Sequence, residues 1–274
     1  MPDSRPLASD PHPLPPDPRR RRLLGTLAAL PLVPSLAAVL ADPELAAAAA
    51  AGTETVTLTT EGGRKVSAAL AVPARTPAPA VLLVHEWWGL NDQIKSMAAE
   101  CAREGYLALA VDLYGGRVAD TAEGAQALMG AVDAAAATDT LKSWIDWLRR
   151  EPRSTGKVGT IGWCFGGGWS LNASLAAPVE ATVIYYGRVD KTAAQLAPLK
   201  GPVLGHFATR DNWINHAMVA GFEKAMDEAG KSYTDYWYDA DHAFANPTGA
   251  RYDKADAAEA WERTRAFLAK QLKG

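Results

Sequence analysis

From residue 53 onward, short apolar runs alternate with longer segments in which apolar side chains recur at helical spacing. Ala80–His85, apolar up to its last residue, and Leu107–Val111 are continuous runs, which is typical of strands covered on both faces. Between them, Asp92–Glu104 has helical periodicity and is followed by Gly105, a common helix stop. Strands separated by helices predict right-handed crossovers and a mostly parallel, twisted sheet with helices on both faces.

The same alternation continues to the C-terminus and is preceded by a hairpin. Two short strands joined through Gly62-Gly63 predict an antiparallel edge, Thr55–Thr60 and Lys65–Val72. Further strands are predicted at Lys157–Ile161, Val179–Tyr185, Pro202–Phe207 and Tyr233–Tyr238. Further helices are predicted at Thr121–Leu148 with a break near Ala137–Asp139, and at Gly166–Leu175, Asn215–Ala229 and Asp253–Leu272. The pattern is that of one α/β domain.

The first 51 residues differ in composition from the rest of the chain. A Pro-rich polar segment and four arginines, residues 19–22, precede the apolar stretch Leu23–Ala41, and an alanine run ends at Ala51. This order predicts a cleaved export signal compatible with the twin-arginine type, and an exported, periplasmic or secreted protein. The alternative is an uncleaved membrane anchor, since Leu23–Ala41 is just long enough to span a bilayer. We therefore predict a signal and alanine-rich segment over 1–51 and the α/β domain over 52–274.

Composition and charge narrow the classes of partner. The 274 residues carry a net charge of −3, with 48% apolar and 22% charged residues, and the charges are interspersed without a basic stripe for nucleic acid. We expect a monomer that binds a small molecule and meets a membrane only if the signal segment stays uncleaved. Only two cysteines are present, Cys101 and Cys164, and they could form one bridge in an oxidising compartment.

Cys164 lies in the pentapeptide Gly162-Trp-Cys-Phe-Gly166, between a predicted strand and a predicted helix. This is the pattern of a nucleophile elbow, in which glycine on either side removes Cβ atoms that would clash in the sharp turn. The following helix would lower the pKa of the thiol and favour the thiolate. The Phe165 N–H would be free to bind an oxyanion. The alternative is a glycine-rich turn that carries an inert thiol.

An acid and a base follow Cys164 in the order that α/β hydrolases use. Asp211 comes after the predicted strand Pro202–Phe207, and His242 comes after the last predicted strand. Both positions lie beyond the carboxyl ends of strands, where sites form in open α/β sheets. Asp239 and Asp241 are rival acids, but they are too close to His242 in sequence to reach its far nitrogen easily. The sequence predicts a Cys164–Asp211–His242 triad on an α/β-hydrolase fold.

Several stretches together resemble the dienelactone hydrolase family of α/β hydrolases. They are His85-Glu-Trp-Trp-Gly-Leu-Asn91, Asp112-Leu-Tyr114, the elbow with its cysteine, Asp211 and Ala240-Asp-His-Ala-Phe244. The resemblance implies hydrolysis of a carboxylic ester or lactone through a thioester acyl-enzyme, as in carboxymethylenebutenolidases, without a metal or organic cofactor. It also implies that the N–H of Trp87 is a second oxyanion donor and that Glu86 helps to deprotonate the thiol.

The chain departs from that family in its expected substrate contacts. Family members bind a substrate carboxylate with arginines, and Asn246 stands where one of them is expected after the catalytic histidine. Trp88 and Trp213 lie close in sequence to the predicted site, so we expect them to bind substrate together with Asn246 and to favour an apolar or aromatic ester. Two other functions remain open, a thiol redox protein that uses Cys101 and Cys164 and an exported, non-catalytic ligand-binding domain.

Overall fold

The computed structural model describes residues 43–274 and is built around one eight-stranded sheet. Its strands are β1 (Glu54–Thr59), β2 (Lys65–Ala71), β3 (Ala78–Val84), β4 (Leu107–Val111), β5 (Ser154–Trp163), β6 (Ala181–Tyr185), β7 (Val203–Ala208) and β8 (Tyr233–Tyr238). They lie in the order β1-β2-β4-β3-β5-β6-β7-β8. Only the β1–β2 and β2–β4 pairs of this sheet are antiparallel, and the others are parallel. The predicted α/β fold with its antiparallel start is confirmed.

Eight helices accompany these strands within the described residues. They are α1 (Pro43–Ala51), α2 (Asp92–Arg103), α3 (Ala122–Gly130), α4 (Ala134–Arg150), α5 (Phe165–Ala176), α6 (Ala193–Leu196), α7 (His216–Glu228) and α8 (Lys254–Leu272). The predicted helical stretch is broken as expected, but the break lies earlier than Ala137–Asp139, because the helix ends at Gly130 and a new one begins at Ala134. Asp133 accepts a hydrogen bond from the N–H of Ala136 and caps the new helix. The short helices α1 and α6 were not predicted.

Two hydrophobic cores cover the two faces of the central strands. On one face, Ile94 and Cys101 of α2 and Leu268 of α8 pack against the sheet. On the other face, Leu141 and Trp144 of α4 take part in the core. Strands β3 and β4 are buried along nearly their whole length, which explains their unbroken apolar sequences.

The parallel strands bring separated segments of sequence to one edge of the sheet. Glu86 follows β3, Cys164 follows β5, Asp211 follows β7 and His242 follows β8. Because these four strands run in the same direction, their carboxyl ends lie at the same edge. The fold therefore gathers all four predicted catalytic residues.

The N-terminal part of the described chain is the helix α1, which contacts α2. Ala46 and Ala50 on α1 are buried. The predicted export signal, with its apolar stretch Leu23–Ala41, lies outside the described residues, and the division of the chain at residues 51 and 52 stays a prediction. No helix within residues 43–274 has the length and apolar character needed to cross a bilayer.

The contact between α1 and α2 predicts a difference between two truncated chains. A chain that starts at Pro43 should be more stable than one that starts at Gly52 by about 1–2 kcal/mol, because the second exposes the surface that Ala46 and Ala50 cover. Urea unfolding at equilibrium measures the difference. Equal unfolding midpoints would mean that α1 adds nothing and that the domain begins at residue 52.

Candidate active site

Cys164 occupies a strained turn between β5 and α5. Its backbone has φ 53° and ψ −118°, in a region that costs an ordinary residue on the order of 1–3 kcal/mol. Its N–H donates to the carbonyl of Tyr185 on the neighbouring strand at 3.0 Å. A Cβ at Gly162 would overlap the Gly166 carbonyl, and one at Gly166 would overlap the Val84 carbonyl. The two glycines are therefore needed for the turn that presents the thiol.

Cys164, His242 and Asp211 form a chain of hydrogen bonds. The Sγ of Cys164 lies 3.1 Å from Nε2 of His242, and Nδ1 of His242 lies 2.5 Å from Oδ2 of Asp211. With Nδ1–H donating to the carboxylate, Nε2 is free to accept the thiol proton. The three residues lie in the mutual geometry that nucleophile, base and orienting acid require.

Asp211 is fixed by its own loop. Its Oδ1 accepts the N–H groups of Trp213 at 2.8 Å and Ile214 at 3.0 Å, which leaves Oδ2 for His242. Burial by itself raises the pKa of Asp211, but the hydrogen bonds from His242 and the two backbone N–H groups together hold that pKa below its ordinary value. The carboxylate is therefore charged at neutral pH and can orient the imidazole.

The protonation of the thiol differs from the expectation drawn from the helix. Burial and then the charge of Glu86 raise the pKa of Cys164 to about 12, although hydrogen bonds from the N–H groups of Phe165 and Trp87 lower it. The expected thiolate is therefore wrong for the resting site, since desolvation outweighs the end of α5. The same two N–H groups point at the sulfur, as donors to a nearby oxyanion would.

Glu86 is buried beside this site and is bound by neutral donors. Its Oε2 accepts from Nδ2 of Asn246 at 2.5 Å and its Oε1 accepts from the hydroxyl of Tyr186 at 3.3 Å. Burial raises the pKa of Glu86, and hydrogen bonding to Asn246 opposes this shift. Within residues 43–274, Glu86 makes no hydrogen bond to Cys164 and acts on the thiol through its charge.

Asn246 and Tyr186 therefore hold Glu86 from two sides. Oδ1 of Asn246 also accepts from the N–H and the hydroxyl of Thr248, so both ends of its buried amide are engaged. Tyr186 has φ 36°, and its ring lies 5.2 Å from that of His242. Sequence reasoning missed Tyr186, whose position directly after β6, at the carboxyl edge of the sheet, was the available signal.

The tryptophans near the site divide into two groups. Trp213 is 60% exposed and meets the ring of His242 edge-on at 5.2 Å, and the partly exposed Trp87 and Trp88 contact each other at 5.0 Å. Trp163 is buried in the core, and Trp169 packs against Phe165. Trp213 is thus the exposed aromatic ring that touches the candidate triad.

The other cysteine and two of the other histidines have structural surroundings. Cys101 is 1% exposed, and both cysteines are free thiols. His206 is buried between Tyr238 and Thr264, and burial lowers its pKa to about 3. His85 is also fully buried. Among residues 43–274, no three His, Cys, Asp or Glu side chains are grouped so that they could hold a metal ion.

An open cavity of about 710 Å³ lies away from the predicted catalytic residues. It is formed by the first hairpin, the loop after β4 and helices α3 and α4, and Arg64, Lys65 and Arg117 contribute to its lining. None of Cys164, Asp211, His242 or Glu86 lines it. This cavity is therefore separate from the candidate triad at the carboxyl edge of the sheet.

Comparison with known proteins matches the same part of the chain. The family model described as the dienelactone hydrolase family matches residues 66–272. A carboxymethylenebutenolidase of Pseudomonas putida is 29% identical over 232 residues, which cover 79% of this chain and 96% of the relative. Carboxymethylenebutenolidase 1 of Cupriavidus pinatubonensis is 25% identical and covers 78% of this chain and 95% of the relative.

A solved structure shares the fold. A dienelactone hydrolase-like promiscuous phosphotriesterase from metagenomic libraries superimposes with a TM-score of 0.73. The alignment covers 80% of this chain and 98% of that protein at 24% identity. At this sequence identity the structural similarity supports the fold alone.

Two glycine-to-alanine substitutions, one in the crowded turn and one at an exposed position of a helix, should have opposite effects on the stability of the protein. Gly162→Ala should destabilise the protein by about 3 kcal/mol, because the new methyl group overlaps the Gly166 carbonyl. Gly221→Ala, in α7 with open space around it, should stabilise it by about 0.5–1 kcal/mol through helix propensity. Thermal unfolding measures both. A Gly162→Ala variant as stable as the parent would show that the turn does not need glycine there.

The raised pKa of Cys164 predicts slow alkylation by iodoacetamide at pH 7 and a rate that rises with pH, because the thiolate is the reacting species. Glu86→Gln removes the nearby charge and should shift this profile to lower pH by about one unit. Peptide mass spectrometry separates Cys164 from Cys101. Glu61→Gln, in the exposed turn after β1, serves as the control. An unshifted profile for Glu86→Gln would contradict the role of its charge.

Proposed function

The chain belongs to the dienelactone hydrolase family and is a hydrolase of carboxylic esters or lactones, and from that premise we propose that it acts through a Cys164–Asp211–His242 triad and a thioester acyl-enzyme. The observation that carries the proposal is the pair of contacts at His242, 3.1 Å to the sulfur and 2.5 Å to the carboxylate. A nucleophile, its base and the group that orients the base are within hydrogen-bond reach of one another.

The proposed first half-reaction transfers the thiol proton to Nε2 of His242 as Sγ attacks the substrate carbonyl. The negative charge that develops on the carbonyl oxygen is bound by the N–H groups of Phe165 and Trp87. When the tetrahedral intermediate collapses, the C–O bond to the alcohol breaks and His242 returns the proton to that oxygen. A thioester on Cys164 remains, and Asp211 stabilises the imidazolium that forms in between.

The second half-reaction releases the acid. His242 takes a proton from water, the hydroxide attacks the thioester, and the acid leaves as Cys164 recovers its proton from His242. The raised pKa of the resting thiol suits this sequence, since the nucleophile forms only when a base accepts its proton. We propose no metal or organic cofactor for these steps.

Glu86 is the candidate second base. A carboxyl group whose pKa is raised by burial accepts a proton more readily than an exposed one. Its two oxygens are bound to Asn246 and Tyr186, so a direct proton transfer from Cys164 requires one of these bonds to shift. His242, already hydrogen-bonded to the sulfur, is the first acceptor.

The proposed substrate is a small-molecule ester or lactone, as the names of the relatives suggest. At the position where the family supplies an arginine, Asn246 is neutral and its amide is engaged by Glu86 and Thr248. Exposed Trp213 at His242 offers a surface for an apolar or aromatic group. We propose that Trp88 and Trp213 contact this group and that Asn246 acts through Glu86.

The other two functions have less support. A redox switch needs Cys101 and Cys164 to approach each other, yet both are free thiols and Cys101 is buried in the core. A ligand-binding domain without activity has no need of the hydrogen bonds at His242. We keep the export signal and the monomeric state as proposals, since both depend on parts or partners outside residues 43–274.

Substitution of the nucleophile tests the proposed function. Cys164→Ala should lower kcat/KM for 4-nitrophenyl acetate at least about a thousandfold, and Cys164→Ser should retain a weak rate because its hydroxyl needs a stronger base. Circular dichroism checks that the variants fold. A slow ester substrate should add its acyl mass to the peptide that contains Cys164.

The matched control is Cys101→Ala, which removes the second thiol from the core without touching the site. Its kcat/KM should stay within about twofold of the parent, whereas a redox mechanism would require this thiol. Full esterase activity in the Cys164→Ala variant would contradict the proposed mechanism.

A further inference from the structure

A cationic side chain lies beside the exposed aromatic ring at the candidate active site. The guanidinium carbon of Arg251 is 5.4 Å from the ring centre of Trp213, and that ring is 5.2 Å from the ring of His242. Together the two distances place the guanidinium within about 11 Å of the catalytic imidazole. Arg251 is exposed, so a molecule bound over Trp213 can reach it from solvent.

Within residues 43–274, the charge of Arg251 is not neutralised by an acidic partner. Among residues 43–274, no carboxylate forms an ion pair or hydrogen bond with its guanidinium. The acids of the surrounding loops have other partners. Asp239 and Asp241 pair with Arg210, Asp211 binds His242, and Asp253 caps helix α8. An unpaired arginine with five donors is suited to a carboxylate.

The loop that carries Arg251 is tied to the candidate triad. The chain leaves His242 and turns back through hydrogen bonds from Gly249 N–H to the Asn246 carbonyl at 3.1 Å and from Tyr252 N–H to the Gly249 carbonyl at 3.2 Å. The Asp253 N–H then donates to the Phe244 carbonyl at 2.9 Å. These bonds fix the backbone from which Arg251 extends relative to the loop that carries His242.

Among residues 43–274, no lysine or arginine is among the groups that shift the pKa of Cys164 or of Glu86 in the interior of the site. Glu86 is held by the neutral groups of Asn246 and Tyr186, and its own charge raises the pKa of Cys164. A substrate carboxylate next to the scissile carbonyl would therefore meet a negative group and no arginine. A carboxylate at a distance from the carbonyl would meet Arg251.

We propose that Arg251 is a specificity-determining residue that binds a carboxylate at the far end of the substrate, while the ring of Trp213 lies along the chain between the carboxylate and the scissile ester. The inference rests on the proposed function, because it uses the same nucleophile. An extended chain rises roughly 1.2 Å per bond, so the carboxylate of an eight-carbon half-ester reaches about 8 Å from the scissile carbonyl and that of a four-carbon half-ester about 4 Å, and we assign Arg251 to the longer reach.

The experiment compares hydrolysis of the 4-nitrophenyl half-ester of suberic acid with that of its neutral methyl ester. The parent protein should prefer the charged substrate by kcat/KM. Arg251→Gln should lower this preference about two- to fivefold, as loss of an exposed ion pair does. Arg251→Lys should retain most of the preference, and Arg251→Glu should reverse it. Added salt should reduce the preference of the parent.

Two controls isolate the contact. Arg75→Gln changes an exposed arginine before β3, at the opposite edge of the sheet, and should leave the preference as in the parent. For the half-ester of succinic acid, with the uncatalysed rate subtracted, Arg251→Gln should not alter the ratio to the matching methyl ester.

An unchanged preference for suberate in Arg251→Gln, or an equal loss in Arg75→Gln, would overturn the proposal. If Arg251→Gln lowered the preference for the succinate half-ester by the same factor, the proposed distance between Arg251 and the scissile carbonyl would be wrong. Failure of the proposed function gives a different result, since Cys164→Ala would then hydrolyse both suberate esters as fast as the parent.

Discussion

The left-handed backbone at Cys164 is the constraint on which the site depends. The turn is possible only because Gly162 and Gly166 lack a Cβ, and because the neighbouring strand accepts the Cys164 N–H through the Tyr185 carbonyl. The unusual φ costs on the order of 1–3 kcal/mol. The burial of β5 inside the sheet offsets this cost. The parallel neighbours of β5 then determine which loops can meet the sulfur.

Two opposing electrostatic effects decide the state of that sulfur. The end of α5 and two N–H groups favour the thiolate, whereas burial and the charge of Glu86 favour the thiol. Burial and the charge of Glu86 are the larger effects, so the pKa of Cys164 is raised. A buried thiol is a poor target for oxidants and alkylating agents. In the proposed mechanism the nucleophile therefore forms only when His242 accepts the proton, and the two N–H groups that act on the resting sulfur would then bind the substrate oxygen.

Much of the fold and of the candidate site could be predicted because both depend on local patterns in the sequence. Apolar runs and helical periodicity predicted the strands and helices. Because Cys164, Asp211 and His242 each follow a predicted parallel strand, the sequence also predicted that these three residues lie at one edge of the sheet. The break before Ala134 was predicted a few residues too late because the cap at Asp133 is a single residue in an alanine-rich stretch. The contacts of Tyr186 and Asn246 with Glu86, and the direction of the thiol pKa, depend on burial and on neighbours distant in sequence, which no local pattern contains.

The replacement of an expected arginine by Asn246 has consequences beyond one lost charge. An arginine at this position would pair with Glu86 and lower its pKa, whereas the neutral amide leaves burial dominant and the pKa raised. Glu86 becomes a better proton acceptor, and the interior becomes unsuited to a second carboxylate. The unpaired cation lies instead on Arg251, in the same loop as His242 and Asn246. One loop can thus set both the protonation of the buried acid and the position at which a charged substrate is bound.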